Sequence, residues 1–213
     1  MPLALVTCGP AYEPIDDVRR ITNFSTGELG SLLSETLSGA GFEVLCLRGE
    51  MAVYPQPTKA RVLPFTTNAS LLAILEALPD PPAVVFHAAA LCDFLVHAVE
   101  GADRSRKIRS GVPELHLVLR PAEKVLPRLR GLFPGALLVG WKYELGGSRE
   151  DAEGRARQQM AGAATDACVV NGTSYGAGFG FLTRGGQRVR HLADKHALCD
   201  FLATWTSQEL SRP

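Results

Sequence analysis

The chain has 213 residues, of which 46% are hydrophobic, and its 22 basic and 22 acidic side chains balance to a formal charge of +0. That length suits one domain with a substantial core, residues 1–213. The neutral balance argues against a polybasic nucleic-acid or membrane surface, and no apolar run reaches the roughly 18 residues of a spanning helix. The amino terminus enters apolar sequence at Pro2–Val6 without a basic leader, so no signal peptide and a cytoplasmic location are expected. Cys8, Cys46, Cys92, Cys168 and Cys199 are odd in number and lack CxxC spacing, which predicts reduced thiols. The histidines show no metal-ligand spacing either, so no structural metal is expected.

In chain order, Leu3–Thr7 reads as a buried strand, followed by an irregular stretch at Gly9–Asn23. Ser25 or Thr26 can cap a helix whose Leu29, Leu32, Leu33 and Leu37 share a face, with Gly39 and Gly41 ending it. A strand at Glu43–Leu47 comes next, then a helix over Ser70–Leu78 capped by Asn68 and stopped by Pro79. Ala83–His87 is a third strand, Val96–Val112 a second irregular stretch, and Leu115–Leu119 a fourth strand. Pro121 can open a helix that Pro127 shortens. Ala136–Trp141 and Ala167–Asn171 are further buried strands, separated by a helix with a capping box at Ser148 and Asp151. Phe179–Thr183 and Gln187–His191 form a hairpin around Arg184–Gly186, and Asp194 caps a closing helix with Leu198, Phe201, Leu202 and Trp205. The alternation predicts a doubly wound, Rossmann-like α/β fold: a mostly parallel sheet, helices on both faces and a carboxyl-terminal hairpin. Ligands of such folds lie beyond the carboxyl ends of the strands, which makes both irregular stretches candidate site loops.

The first loop leads into a helix start rich in hydroxyls and glycine, Asn23-Phe24-Ser25-Thr26-Gly27. Amides at such a terminus attract phosphate, and a glycine admits close approach; the plain alternative is that Asn23, Ser25 and Thr26 only cap the helix. It is neither a G-x-G-x-x-G fingerprint nor a Walker A loop. Five stretches carry a more specific signal. Val6-Thr7 to Gly9, Glu13-Pro14-Ile15-Asp16, Val18-Arg19 and Ile21–Gly27 resemble the VTxGGTxEPID…VRxIxNxSSG signature of phosphopantothenate–cysteine ligases. Ala88–Phe94 is similar to that family's AAAVxDF/Y, Lys107-Ile108-Arg109-Ser110 to its KIKK or KIxS, Val139–Glu144 to its GFxxE, and Ala167–Asn171 to its IVAN strand.

The resemblance implies a ligase of coenzyme A synthesis, in which the phosphopantothenate carboxylate attacks the α-phosphate of ATP or CTP and cysteine then displaces the nucleotide. It implies catalytic roles for Asn23 at the carboxyl and Lys107 on the phosphates, and substrate contacts for Asn23 and Arg19. Gly9, Ser25, Thr26, Gly27, Ala89, Ala90, Asp93, Lys107, Trp141, Lys142 and Asn171 are the implied nucleotide-binding residues. Each has a plainer alternative: Lys107 as a solvated charge, Asp93 as a cap, Trp141 as core. Magnesium is expected on the triphosphate, with no flavin, a stand-alone ligase and a homodimer with its site near the interface. Tyr12, Glu28, Gln159 and Ala163 stand where bacterial members carry basic residues, a pattern that leans toward the ATP-using eukaryotic branch. Those departures also keep open a non-catalytic nucleotide-binding relative. A Rossmann-type oxidoreductase has only the alternating pattern behind it.

Overall fold

The computed structural model describes every residue except 102, 105, 112, 187, 188 and 213. In chain order the elements are β1 (Leu3–Cys8), β2 (Tyr12–Pro14), β3 (Arg20–Thr22), α1 (Glu28–Gly39), β4 (Glu43–Gly49) and β5 (Arg61–Phe65). Then come α2 (Asn68–Glu76), β6 (Val84–His87), β7 (Phe94–Val99), β8 (Leu117–Pro121), α3 (Leu126–Leu132) and β9 (Leu137–Tyr143). The chain closes with α4 (Arg149–Ala163), β10 (Ala167–Asn171), β11 (Phe179–Thr183), β12 (Arg190–Leu192) and α5 (Lys195–Leu210).

Side-chain alternation along each strand builds two layers from one sheet. Ala4 and Val6 of β1, Val84 and Phe86 of β6, and Val139 of β9 point toward Leu33 and Leu37 of α1 and Leu198 and Leu202 of α5. Leu5, Val85 and Leu138, one residue out of phase, meet Leu71 and Leu75 of α2 and Leu129 of α3. Further along, Cys168 and Val170 of β10 meet Met160 and the small Ala152 and Ala156 of α4. The eight strands run in the order β12-β11-β10-β9-β6-β1-β4-β5, with β11 and β12 antiparallel at one edge and the rest parallel. The doubly wound fold expected from the sequence is therefore the fold observed.

Several local expectations change. Leu115–Leu119 is not a buried strand of the main sheet; β8 pairs with β7 in a separate antiparallel ribbon, and Leu119 is exposed. Nor are the two irregular stretches structureless: the first contains the β2–β3 ribbon, and β7 reaches into the second, whose last residue, Val112, lies outside the described residues. β5, an edge strand broken up by Arg61 and an exposed Pro64, carried too weak an apolar signal to predict. The cap of α2 is Thr67, in a reciprocal box with Ser70, because Asn68 is turned inward to bond the backbone of Cys92. The cap of α1 is Gly27 rather than Ser25 or Thr26, although Thr26 Oγ1 accepts the Glu28 amide at 3.3 Å. Pro121 ends β8 and the following helix starts at Leu126, with Pro127 in its first turn. The capping box of α4 and the Asp194 cap of α5 form as expected. The hairpin forms through Phe179↔Leu192, while Gln187 of its expected second strand lies outside the described residues.

α1 approaches β1 through a missing side chain. A Cβ built on Gly30 would stand 2.1 Å from Cys8 Cβ. On an exposed helix Gly→Ala gains about 1 kcal/mol of propensity. Here overpacking opposes it by about 1–3 kcal/mol or more, so Gly30→Ala is expected to lower the urea midpoint. An unchanged or raised midpoint would mean that α1 slides off β1 freely.

Candidate active site

β1 and β6 are neighbours in the sheet, yet the chain leaves β1 toward β4 and leaves β6 toward β9. That reversal is where an open α/β sheet parts at its carboxyl edge to admit a ligand. Here the backbone knits the crevice floor. Ala88 N–H donates to Thr7 O at 3.1 Å, Ala90 N–H to Gly9 O at 2.9 Å, and Ala11 N–H to Ala90 O at 3.0 Å. Gly9 (φ 76°) and Gly27 (φ 79°) both use the left-handed region, and a Cβ on either would stand 2.8 Å from Ala52 Cβ. Asn23 is exposed, and its Nδ2 donates to Leu91 O at 2.8 Å and Ala90 O at 3.3 Å. The structure thus gathers Gly9, Asn23, Gly27 and Ala90 at one place, with Ser25 donating its amide to Asn23 O and Thr26 accepting from Tyr54.

The second loop is fastened to the first by ionic hydrogen bonds. Asp16 accepts the amides of Val18 (2.9 Å), Arg19 (2.8 Å) and Ile108 (3.0 Å), plus Arg19 Nη1 at 2.5 Å. Burial pushes the Asp16 carboxyl up, but those donors and the Arg19 charge outweigh it and hold it below its ordinary range. Arg19, expected on substrate, has both terminal nitrogens on Ile108 O at 3.3 Å as well. Arg104 donates to Pro14 O, Ile15 O, Val96 O and His97 O. Lys107, next to the pinned Ile108, is exposed and makes no ion pair among the described residues.

Two cavities flank the crevice. A small one, about 190 Å³, is lined by Ala89 and Asp93 together with Asn68, His87, Lys124 and Gln159. Asp93 pairs with Lys124, and Gln159 Nε2 donates to Trp141 O at 3.0 Å. The Trp141 indole packs against the α1–α5 cluster, its Nε1 enclosed and unpartnered among the described residues. The larger cavity, about 730 Å³, holds Asn171 beside Glu28, Tyr143 and Lys195. Lys142 sits 3.0 Å from Glu144, which also holds Arg155 at 2.5 Å. Burial raises the Glu144 carboxyl, but these two cations prevail and its shift is downward. Among the described residues no three His, Cys, Asp or Glu side chains cluster as a metal site.

The profile of a family described as the DNA/pantothenate metabolism flavoprotein C-terminal domain matches residues 3–198. The chain belongs to that family. It is 39% identical over 168 residues to the coenzyme A biosynthesis bifunctional protein CoaBC of Thermococcus kodakarensis, covering 78% of this chain and 40% of that protein. To CoaBC of Bacillus subtilis it is 30% identical over 177 residues, 83% of this chain and 42% of the relative. It therefore spans about two-fifths of the length of these relatives. A crystal structure of the DNA/pantothenate metabolism flavoprotein from Streptococcus pneumoniae shares the fold with a TM-score of 0.87 at 23% identity, covering 98% of this chain and all of that one. A Cab2 mutant in complex with phosphopantothenate-cysteine shares it with a TM-score of 0.78 at 20% identity, covering 98% of this chain and 86% of that one.

In this member of the family, reading residues in order missed His87, Asn68, Asp16 and Arg104 as organisers of the site. Asp16 was visible in the EPID stretch and His87 as the polar end of an apolar strand, but their partners are remote in sequence. His87 is buried, and its Nδ1 lies 2.9 Å from Thr7 Oγ1. Burial pushes the imidazole down to about 4, against an ordinary value of 6.5. The unfolded chain then binds a proton between those values that the native state refuses, so stability is full above about 6.5 and falls as pH drops toward 4. The loss from this group is of order 3 kcal/mol. Denaturant midpoints measured across that range should fall, and His87→Leu should flatten the fall; an equally steep fall in the variant would put its origin elsewhere.

Proposed function

We propose that this domain condenses 4'-phosphopantothenate with cysteine, using a nucleoside triphosphate, in coenzyme A synthesis. The observation that carries this reading is the joining of two family motifs at the switch point, where Asn23 of the first bonds Ala90 and Leu91 of the second. The names of the relatives agree with it. In the first step a carboxylate oxygen of phosphopantothenate bonds the α-phosphorus and pyrophosphate leaves. In the second, the cysteine amine bonds the acyl carbon, the carbon–oxygen bond to the nucleotide breaks, and the amine loses a proton.

Such chemistry is accelerated chiefly by fixed donors and charges placed before the reaction starts. Asn23 would supply a neutral donor: the longer of its two bonds, 3.3 Å to Ala90 O, is the one a substrate oxygen would replace. Gly9, Ser25, Thr26 and Gly27 would give the triphosphate a close backbone approach at the start of α1. Lys107 would add the mobile cation, its loop already anchored by Asp16, Arg19 and Arg104. Lys142 can reach phosphate only by sharing itself with Glu144. Magnesium would ride on the phosphate oxygens and neutralise their charge. A homodimer belongs to the same proposal, its contact drawn from the exposed Val18, Phe24 and Phe94, and sedimentation would read it.

The assay is pyrophosphate release that depends on phosphopantothenate; no release with any nucleotide sinks the reading in favour of a non-catalytic nucleotide binder. Lys107→Gln is expected to slow it roughly a hundredfold, the worth of about 3 kcal/mol of preorganised charge, with the melting temperature unchanged. Near-normal turnover would return Lys107 to the solvated surface. ATP is expected to exceed CTP in kcat/KM, because Gln159 is neutral and Lys142 and Arg155 are both shared with Glu144, leaving less charge for the phosphates and more of the binding to the base. A clear advantage for CTP would reverse this assignment.

A further inference from the structure

Arg48 lies behind the glycine turns of the crevice. It stands on β4 opposite Cys8 of β1, so that Gly49 follows it as Gly9 follows Cys8. Among the described residues its guanidinium makes no ion pair, and it is half-buried. Glu50, which lines the same cavity, accepts from the Tyr12 hydroxyl at 3.3 Å. Arg48 turns instead to the loop that follows β4. Its Nη2 donates to Ala52 O at 2.8 Å and to Tyr54 O, while Nε is enclosed and unpartnered among the described residues. A half-buried cation on two neutral carbonyls, with one N–H enclosed and unpaired, is an unfavourable way to close a surface loop. Such departures are expected where a site, and not the stability of the fold, sets the requirement.

What the loop touches supplies that requirement. A Cβ on Gly9 or on Gly27 would stand 2.8 Å from Ala52 Cβ, so Ala52 sits against both left-handed turns. Tyr54 donates its amide to Thr26 O at 3.0 Å, and Ala52 donates its own back to Gly49 O at 2.9 Å. The two carbonyls that Arg48 holds therefore belong to the two loop residues that bear on Thr26 and Gly27. Gly27 is the cap of α1, and its O accepts the Ser31 amide at 3.1 Å. The first amides of a helix have no partner within it, and their direction is set by the turn that precedes them. Here that turn is braced from outside by Ala52 and Tyr54.

We propose that Arg48 is a positioning residue for the phosphate groups of the nucleotide. Through Ala52 and Tyr54 it fixes the Thr26–Gly27 turn, and with it the amides at the start of α1. The inference rests on the ligase reading above, which sets a triphosphate against those amides.

The experiment compares binding of ATP, read by calorimetry, with binding of adenosine, read by an NMR titration, and repeats the pair with CTP and cytidine. Arg48→Gln should weaken the triphosphate about tenfold, the worth of one hydrogen bond, and leave the nucleoside unchanged. A loss shared equally by triphosphate and nucleoside marks a general structural role and overturns the proposal, as does no loss at all. Arg48→Lys should recover most of the affinity, because one ammonium can donate to both carbonyls as Nη2 does. Affinity as low as that of Arg48→Gln would overturn the proposal too. If Arg48→Gln does not fold, Ala52→Gly removes the contact with Gly9 and Gly27 and keeps Arg48. It should show the same loss confined to the triphosphate, and full affinity overturns the proposal. Triphosphate binding without pyrophosphate release would be a failure of the ligase reading alone, whereas an unaltered protein that binds no triphosphate would overturn both.

Discussion

The crevice depends on a short backbone zipper between the loops after β1 and β6. Strands that part in opposite directions leave an opening, but an opening with loose edges cannot hold reacting groups within a fraction of an ångström. Thr7 O, Gly9 O and Ala90 O close that edge by accepting three amides across it, and Asn23 adds a side-chain donor on top. Glycine suits the left-handed turns at Gly9 and Gly27, where a Cβ would also run into Ala52 after β4. Rigidity at the floor of the crevice thus comes from main-chain atoms, which frees the side chains above it for ligands.

Charge is distributed in the same economical way. Asp16, Arg19 and Arg104 spend their hydrogen-bonding capacity on backbone atoms of the β2–β3 and β7–β8 regions, so the loop that carries Lys107 is anchored at Ile108 while the lysine itself stays exposed. Ionic hydrogen bonds are about twice as strong as neutral ones, which suits them to holding an excursion whose own core is the small cluster of Val96, Val99 and Ile108 with Ile15 and Leu117 against it. On the other side of the crevice, Lys142 and Arg155 share Glu144, so their field is partly cancelled before any anion arrives.

How much of this was legible in the chain follows from the range of each interaction. The five parallel strands other than β5 and the caps of α4 and α5 are local matters of periodicity and of one side chain reaching three residues ahead, and the sequence carried them openly. The Leu115–Leu119 run had the right residues for a buried strand, but burial is a property of what packs on top, and Leu115 and Leu119 stay exposed in the separate β7–β8 ribbon. Asn68 looked like a cap because caps are local; its actual partner, Cys92, is 24 residues away.

By itself the sequence determined the doubly wound architecture, the two loops at the carboxyl edge and the motif residues they carry, because strand period, helix period and turn chemistry act over a few neighbouring residues. The tertiary structure alone decided which of those residues remain available. Arg19 was paired with Asp16 and Ile108 and Lys142 with Glu144, while Asn23 was set across the crevice and Trp141 was placed both against the core and at the wall of the small cavity. A donor or a charge is satisfied by atoms brought near in space, and the partners that satisfied these came from strands and loops folded together from across the chain.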